Sequence, residues 1–180
     1  MEQALKLVYQ DEDLKLYQFE PKFFRLFKYN LQNHSLITRI RYMLDYLQKG
    51  KYVIYYLFSK EKLIGECVIT PGGRRLKCSN KKDVVIGGPY YIIPEQRGKG
   101  FGEILIKLSL QYCKYDWENA YDYIKKDNLP SIKTTIKCGF KKVGEINIDT
   151  ITHVMRVAQN GGRFSVYCLK HKDLIIEGEA

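Results

Sequence analysis

Several features of membrane, secreted and multidomain proteins are missing from this sequence of 180 residues. No stretch approaches the ~18 to 20 apolar residues that a membrane-spanning helix requires. Residues 1–30 carry too many charges for the apolar region of a secretory signal. There is no linker rich in Ser, Gly or Pro, no internal repeat and no low-complexity segment. We therefore predict one cytoplasmic domain over residues 1–180, without a membrane partner.

Metal-binding and disulfide patterns are missing as well. The five cysteines are an odd number, are widely spaced and include no C-x-x-C pair, and no histidine stands at ligand spacing from them. Zinc sites and disulfide-stapled domains show such patterns. We therefore predict no metal site and buried, reduced thiols.

Positive charge is the most unusual property that the sequence does have. It holds 30 Lys and Arg against 20 Asp and Glu, a formal net charge of +10, beside 45% hydrophobic residues. This composition supports a folded core and excludes a disordered chain. The densest basic cluster, residues 74–82, would suit an anionic small molecule. Nucleic acid is a disfavoured partner, because no basic stripe with interleaved aromatic residues is evident, and a basic RNA-associated protein is the least favoured alternative.

Local patterns predict an α/β fold. Strands are predicted over 14–19, 52–59, 63–70, 83–94, 119–124, 140–149 and 163–171, of which 52–59 and 63–70 would form an antiparallel hairpin. Helices are predicted from Pro21 through Phe27, from Ser35 to Gly50, over 101–112, and from Asp127 or Asn128 to Gly139. The Gly-Gly-Pro at 87–89 predicts a bulge or splay in the strand that contains it.

A glycine-rich turn joins the strand that ends at Pro94 to the next predicted helix. It reads Glu-Gln-Arg-Gly-Lys-Gly-Phe-Gly over residues 95–102, and its glycines allow successive N–H groups to point into one concave nest. The helix N-terminus adds partial positive charge, so phosphate is the natural ligand. Two familiar nucleotide loops are excluded. A Walker A loop needs lysine where Phe101 stands, and the dinucleotide fingerprint needs glycine where Glu103 stands.

The segment from Tyr90 to Gly102 resembles the acetyl-CoA motif of the Gcn5-related N-acetyltransferases (GNAT), in which a splayed strand ending in V-x-P leads into R/Q-x-x-G-x-G/A. A second family block is similar to 128–140, where Asn128 precedes Gly139 and Phe140. The resemblance implies a mixed, mainly antiparallel sheet with a splayed central strand pair, flanked by helices. It implies acetyl-CoA as cosubstrate, bound by the N–H groups from Gln96 to Gly102 with added charge from two basic residues. The implied cofactor-binding residues are Tyr91, Ile92, Ile93, Gln96, Arg97, Gly98, Lys99, Gly100, Phe101, Gly102 and Asn128.

The resemblance further implies a GNAT-type acyltransferase that moves an acetyl or other small acyl group from CoA to a primary amine, by direct attack. N–H groups near Tyr91 and Ile92 would stabilise the oxyanion. Many members protonate the leaving thiolate with a tyrosine, at the position that Thr135 occupies here. Thr135 is therefore the candidate acid, with Tyr123 or water as substitutes, and Glu66 is the candidate base, with Asp83 as an alternative.

The acceptor is expected to be a small-molecule amine. Deprotonating an amine of pKa ~8 at pH 7 costs about 1.4 kcal/mol, whereas deprotonating a lysine of pKa ~10.4 costs about 4.6 kcal/mol. Since the predicted strand 84–93 contains no carboxylate to act as a base, we favour an α-amine or an amino sugar. A CoA-binding module of the same fold that has lost turnover is the alternative, because the usual tyrosine is absent.

Overall fold

Strands dominate the part of the chain that the computed structural model describes. That part comprises residues 5–22, 25–29, 31–32, 39–40, 42–43, 46, 52–73, 76–86, 90–149, 154–159 and 161–175. It divides into two units, Met1–Thr70 with Gly88–Lys114 and Pro71–Gly87 with Tyr115–Ala180. Within each unit the described strand pairs are antiparallel, except for one parallel pair in the second unit, and helices flank the strands. The predicted α/β class with mixed, mainly antiparallel pairing is confirmed, and one domain over 1–180 stays a prediction.

The first unit is built on an antiparallel meander. Its strands are β1 (Lys6–Gln10), β2 (Leu14–Phe19), β3 (Val53–Ser59) and β4 (Lys62–Pro71), each paired with the next, and β6 (Tyr91–Ile92) pairs with β4. The predicted β3–β4 hairpin is confirmed. Its turn residues Lys60 and Glu61 have positive φ, which matches the twist of a two-residue hairpin turn.

Helix α1 (Phe101–Gln111) packs on one face of this meander. Leu105 lies against Gly65, and the Tyr55 hydroxyl donates to the Tyr112 carbonyl at 3.0 Å. The opposite face carries a buried, largely aromatic cluster: Phe19, Tyr42, Tyr52, Ile54, Tyr56 and Val68. Both faces of the central strands are therefore covered, which explains why β3 is apolar along almost its whole length.

The helix predicted from Pro21 through Phe27 is wrong. Lys22 and Arg25 exchange backbone hydrogen bonds, and the described residues 25–29 are not helical. Two tyrosines, Tyr52 just before β3 and Tyr56 within it, bind this segment instead. The Tyr52 hydroxyl donates to the Leu26 carbonyl, and the Tyr56 hydroxyl accepts from the N–H groups of residues 28 and 29. In the range of the next predicted helix, from Ser35 to Gly50, the described residues 39–40, 42–43 and 46 are helical.

The second unit contains the parallel pair. Strand β5 (Asp83–Ile86) runs parallel to β7 (Asn119–Lys125), followed in pairing order by β10 (Phe164–Lys170), β8 (Lys141–Ile148) and β9 (Met155–Val157). Helix α2 (Leu129–Lys137) follows β7, as predicted, and Gly139 adopts a positive φ of 91° just beyond it. Short 3₁₀ turns complete the described elements at Pro94–Gln96 and His171–Asp173.

The strand predicted over 83–94 is two strands, β5 and β6. The predicted bulge or splay at 87–89 lies outside the described residues. Strands β1 and β9 were not predicted from sequence. Each lies at the edge of its unit's sheet and is largely exposed, so neither shows the apolar alternation of a core strand.

Candidate active site

The loop before α1 begins with the 3₁₀ turn Pro94–Gln96, whose hydrogen bonds occupy the N–H groups of Gln96 and Arg97. The N–H of Gln96 donates to the Ile93 carbonyl at 3.0 Å, and that of Arg97 donates to the Pro94 carbonyl at 3.2 Å. The proline favours this turn because its ring fixes φ near the helical value. The expected run of donors from Gln96 to Gly102 is therefore wrong for its first two members.

Five successive N–H groups remain, those of residues 98–102. Within the described ranges, none of them donates to a protein acceptor. Gly98 and Gly100 adopt positive φ of 77° and 84°, which glycine reaches without steric cost. A Cβ at either position would meet nothing within 4 Å, so these glycines serve the shape of the backbone and not tight packing. Successive N–H groups before a helix N-terminus form an arrangement that binds phosphate.

Two basic side chains of this loop have different partners. Lys99 Nζ donates to Gln96 Oε1 at 2.9 Å and is exposed. Arg97 Nε donates to the Ile92 carbonyl at 3.0 Å, and its Cζ lies 5.3 Å from the centroid of the Tyr91 ring. Lys99 therefore contacts its own loop, whereas Arg97 contacts β6.

Strand β6 presents one N–H group away from its neighbour. Ile92 lies opposite Gly65, and the N–H of Ile93 donates to the Ile64 carbonyl at 3.0 Å. Hydrogen-bonded and non-hydrogen-bonded pairs alternate along an antiparallel ladder. The Ile92–Gly65 pair is therefore non-hydrogen-bonded, and the Ile92 N–H points away from β4. From the sequence, N–H groups near Tyr91 and Ile92 are expected to bind the carbonyl oxygen of the acyl group. The Ile92 N–H has a suitable direction for this role, because it points away from β4.

Gly65 sets the distance between β4 and β6. A Cβ at this position would lie 2.6 Å from Ile92 Cδ1, 2.8 Å from the Tyr91 carbonyl oxygen and 3.2 Å from Leu105 Cδ2. A backbone oxygen cannot move aside as the end of a flexible side chain can. Strand β6 therefore reaches this position only beside a glycine.

Glu66, the candidate base, lies in the buried centre of β4 and is 1% exposed. Its Oε1 accepts a hydrogen bond from Gln32 Nε2 at 2.8 Å. The strand register puts it between Tyr56 on β3 and Tyr91 on β6. Burial, with a smaller contribution from the Glu66 charge, raises the pKa of Tyr56. A buried carboxylate in register with β6 has the chemistry of a proton acceptor.

Thr135, the candidate acid, belongs to the second unit and is fully buried. Its hydroxyl donates to Asp122 Oδ2 at 2.7 Å. Burial raises the pKa of Asp122 to about 6, although the hydrogen bonds from Thr135 and the Tyr123 N–H act in the opposite direction. The hydroxyl proton of Thr135 is therefore engaged by a buried carboxylate. Its role as an acid stays a prediction.

Two other sequence candidates have structural partners in the second unit. Asn128 caps α2, because its Oδ1 accepts from the Ser131 N–H at 3.3 Å. Asp83, the alternative base, accepts from Asn119 Nδ2 at 2.8 Å and from the Asn80 N–H at 2.7 Å. Asp83 thereby orders the loop that precedes β5. The contact of Asn128 with CoA stays a prediction.

Comparison with known proteins identifies the family. The family model described as the acetyltransferase (GNAT) family matches residues 14–140, which is well over half of the chain. The chain belongs to the GNAT family. This confirms the predicted family and the class of enzyme, an acyltransferase, and the family implies an acyl-CoA donor.

Solved structures similar to this GNAT chain share its fold at low sequence identity. The spermidine N-acetyltransferase of Vibrio cholerae, in complex with CoA and spermine, is 16% identical with a TM-score of 0.55, over 91% of this chain and 98% of that one. The Campylobacter jejuni N-acetyltransferase PseH is 16% identical with a TM-score of 0.54, over 87% and 98%. A Bacillus subtilis acetyltransferase in complex with CoA is 18% identical with a TM-score of 0.56, over 87% and 99%. None of the curated proteins matches the chain in sequence.

Two side chains of this GNAT chain gain importance only from the structure. Gln32 contacts Glu66 from a distant part of the chain, and no local sequence pattern predicts that pairing. Asp122 did leave a signal. It stands in phase with Ala120 and Ile124 on the buried face of β7, where an aspartate is unexpected.

The described ranges contain neither a membrane-spanning helix nor a metal-binding cluster. No helix there is both long and apolar enough to cross a membrane. The same residues contain no group of three or more His, Cys, Asp and Glu side chains arranged around a metal position. All five cysteines are described, and each is a free thiol. Cys67 and Cys138 are buried as predicted, but the prediction of burial is wrong for Cys78, which is exposed, and for Cys113 and Cys168, which are half-buried.

Proposed function

We propose that this GNAT protein transfers an acetyl group from acetyl-CoA to the primary amine of a small molecule. The observation that carries the proposal is the run of N–H groups at residues 98–102, which no described protein group uses. In a chain of this family, such a nest at a helix N-terminus fits the pyrophosphate of CoA. We propose Tyr91–Ile93 and the N–H groups of residues 98–102 as cosubstrate contacts, and the family resemblance adds Asn128.

The proposed reaction is a direct attack without a covalent enzyme intermediate. The amine nitrogen bonds to the acetyl carbon while the carbon–sulfur bond breaks, the nitrogen loses a proton, and CoA leaves as a thiolate. The direction of the Ile92 N–H favours it as a donor to the developing oxyanion. Loss of one such donor typically costs about 10²- to 10³-fold in rate.

Glu66 is our proposed proton acceptor. It lies opposite Tyr91 in the β4–β6 ladder, one residue from the proposed oxyanion donor, so both groups belong to one short stretch of the first unit. A general base contributes typically about 10²- to 10⁴-fold. The leaving thiolate has an ordinary pKa of ~8.5 and departs without full protonation, so the proposal does not depend on Thr135.

We propose an α-amine or an amino sugar as the acceptor. If the basic cluster in the loop at residues 74–82 contributes to binding, the acceptor also carries a negative charge. In that loop Lys77 and Lys81 are exposed, and Lys82 is paired with Glu118 at 2.9 Å. A cytoplasmic location and a single catalytic domain over 1–180 belong to the same proposal. Five free thiols suit a reducing compartment.

The test is release of CoA thiol from acetyl-CoA in the presence of a panel of amines. The panel contains α-amines, amino sugars with and without a phosphate group, polyamines and lysine peptides. We expect turnover with an α-amine or an amino sugar, and a raised melting temperature with CoA at 100-fold excess over its dissociation constant, where linkage gives about 2.7 kcal/mol. Full-rate acetylation of lysine peptides alone would contradict the acceptor class. No stabilisation by CoA would contradict the proposal as a whole.

A CoA-binding protein without turnover is the second candidate function. The observation that favours it is the buried Thr135 hydroxyl, which already donates to Asp122. This candidate predicts stabilisation by CoA together with no thiol release above the uncatalysed rate for any amine of the panel. Thiol release that depends on both enzyme and amine excludes it.

A further inference from the structure

We propose that Arg97 is a positioning residue that fixes strand β6, and with it the Ile92 N–H, to the loop before α1 (residues 94–100), here called the cosubstrate loop. The inference rests on the proposed acetyl transfer. Arg97 Nε donates to the Ile92 carbonyl at 3.0 Å, and its Cζ lies 5.3 Å from the centroid of the Tyr91 ring. Tyr91 and Ile92 are the whole of β6. A single side chain therefore contacts both residues of the strand.

Strand β6 needs such support because it is short. Among the described residues it pairs with β4 alone, and the alternation of the ladder turns both the N–H and the carbonyl of Ile92 away from β4. Arg97 satisfies that carbonyl and leaves the N–H of the same residue for a ligand. On the other edge, Gly65 allows the close approach of β4. The strand is thus held from both edges.

The contact distinguishes Arg97 from Lys99, the other basic residue of the loop. Lys99 donates to Gln96, which belongs to the loop itself. Each residue contributes one positive charge near the proposed pyrophosphate position. If both residues acted only through their charge, removing either one would have the same effect on CoA binding and on kcat. A positioning role predicts that loss of Arg97 also slows the chemical step.

Three variants separate these roles. Arg97→Met and Lys99→Met each remove one positive charge from the loop, but only the first removes the contact with β6. Arg97→Gln also removes the charge, yet its amide nitrogen stands at the same bond position as Arg97 Nε, so a donor to the Ile92 carbonyl is kept. Thermal melting checks that each variant is folded.

We expect kcat with the best amine of the panel to fall about 10- to 100-fold in Arg97→Met, because a displacement of ~1 Å costs about 10²-fold. Calorimetry with CoA should give similar dissociation constants for Arg97→Met and Lys99→Met. Arg97→Gln should bind CoA as weakly as Arg97→Met while its kcat is at least about fivefold higher. Lys99→Met should raise the KM for acetyl-CoA without the fall in kcat.

A readout that does not depend on turnover is amide hydrogen exchange at Ile93, whose N–H donates to the Ile64 carbonyl. We expect exchange to accelerate about tenfold in Arg97→Met and to stay near the wild-type rate in the other two variants. Equal kcat values and equal Ile93 exchange rates in Arg97→Met and Lys99→Met would overturn the inference. It would also be overturned if Arg97→Gln had the same low kcat and the same fast Ile93 exchange as Arg97→Met. If the wild type acetylates no amine, the proposed function fails, and with it the catalytic meaning of Arg97, while exchange at Ile93 still decides the contact.

Discussion

Replacing Asp122 by asparagine should stabilise this protein increasingly as the pH rises from 4 to 8. The wild-type carboxylate is 3% exposed, and its described hydrogen bonds come from neutral donors, the Thr135 hydroxyl and the Tyr123 N–H. Burial of a charge without a cation raises the free energy of the folded state. Asparagine keeps the shape and an oxygen that accepts from Thr135, and it carries no charge at any of these pH values.

The magnitude follows from the pKa of Asp122, which is about 6 in the folded protein against an ordinary value of 3.8. This difference of about two pH units corresponds to about 3 kcal/mol, at about 1.4 kcal/mol each. Between pH 4 and pH 6 the folded state holds a proton that the unfolded state has released, so wild-type stability falls as the pH rises. The asparagine variant has no such loss. The stability difference should therefore grow by about 3 kcal/mol between pH 4 and pH 8.

Urea unfolding from pH 4 to pH 8 measures this difference, with the fluorescence of Trp117 as the signal. Trp117 is the only tryptophan, is 7% exposed and belongs to the same unit as Asp122. Asp127→Asn, the same replacement at an exposed position of that unit, is the control. Acid-sensitive groups such as Glu145, whose pKa Lys126 and Lys142 hold at about 2, are common to both proteins and cancel. A difference that is flat with pH, or that grows toward acid, refutes the reasoning.

Three further substitutions test the first unit. Gly65→Ala should displace β6, lower stability by about 1–3 kcal/mol and weaken CoA binding in calorimetry, whereas Gly144→Ala, where a Cβ meets nothing within 4 Å, should do neither. Ser109→Ala should raise the free energy of unfolding by about 1 kcal/mol in urea titration, because this fully buried hydroxyl has no hydrogen-bond partner among the described residues, and a clear loss would show that a partner exists. Glu66→Gln should lower kcat/KM in the thiol assay about 10²- to 10⁴-fold with CoA affinity kept, and activity within threefold of wild type would remove Glu66 as the base.

The strands and helices that sequence predicted correctly are those with a strong local signal. The β3–β4 hairpin has two β-branched and aromatic runs around a polar turn, and α1 has an apolar face at helical spacing. The segment after Pro21 has apolar residues too, but its backbone groups bind the hydroxyls of Tyr52 and Tyr56, which lie 26 to 28 residues away in sequence. A local pattern cannot reveal partners so distant, so tertiary contacts overrode the helix there.

The cosubstrate loop was predictable because its function resides in the backbone, and glycines at fixed spacing report backbone shape. The choice among its donors was not predictable. It depends on the 3₁₀ turn at Pro94, which uses the N–H groups of Gln96 and Arg97, and on the ladder register, which orients Ile92. Side chains that depend on distant partners, such as Gln32 beside Glu66, were missed for the same reason.

The Asp122–Thr135 pair bears on the prediction that Thr135 protonates the leaving thiolate. The Thr135 hydroxyl has one proton, and while Asp122 is ionised that proton is donated to the carboxylate. Only below pH about 6, where Asp122 is protonated and can itself donate, would the Thr135 proton be released for another acceptor. At that pH an amine of pKa ~8 is only about 1% unprotonated, so the acid and the nucleophile would be available in opposite pH ranges. We therefore expect kcat at saturating amine to rise from pH 6 to pH 8, with CoA leaving as the thiolate. A kcat that increases as the pH falls through 6 would assign the acid role to Thr135 and contradict this expectation.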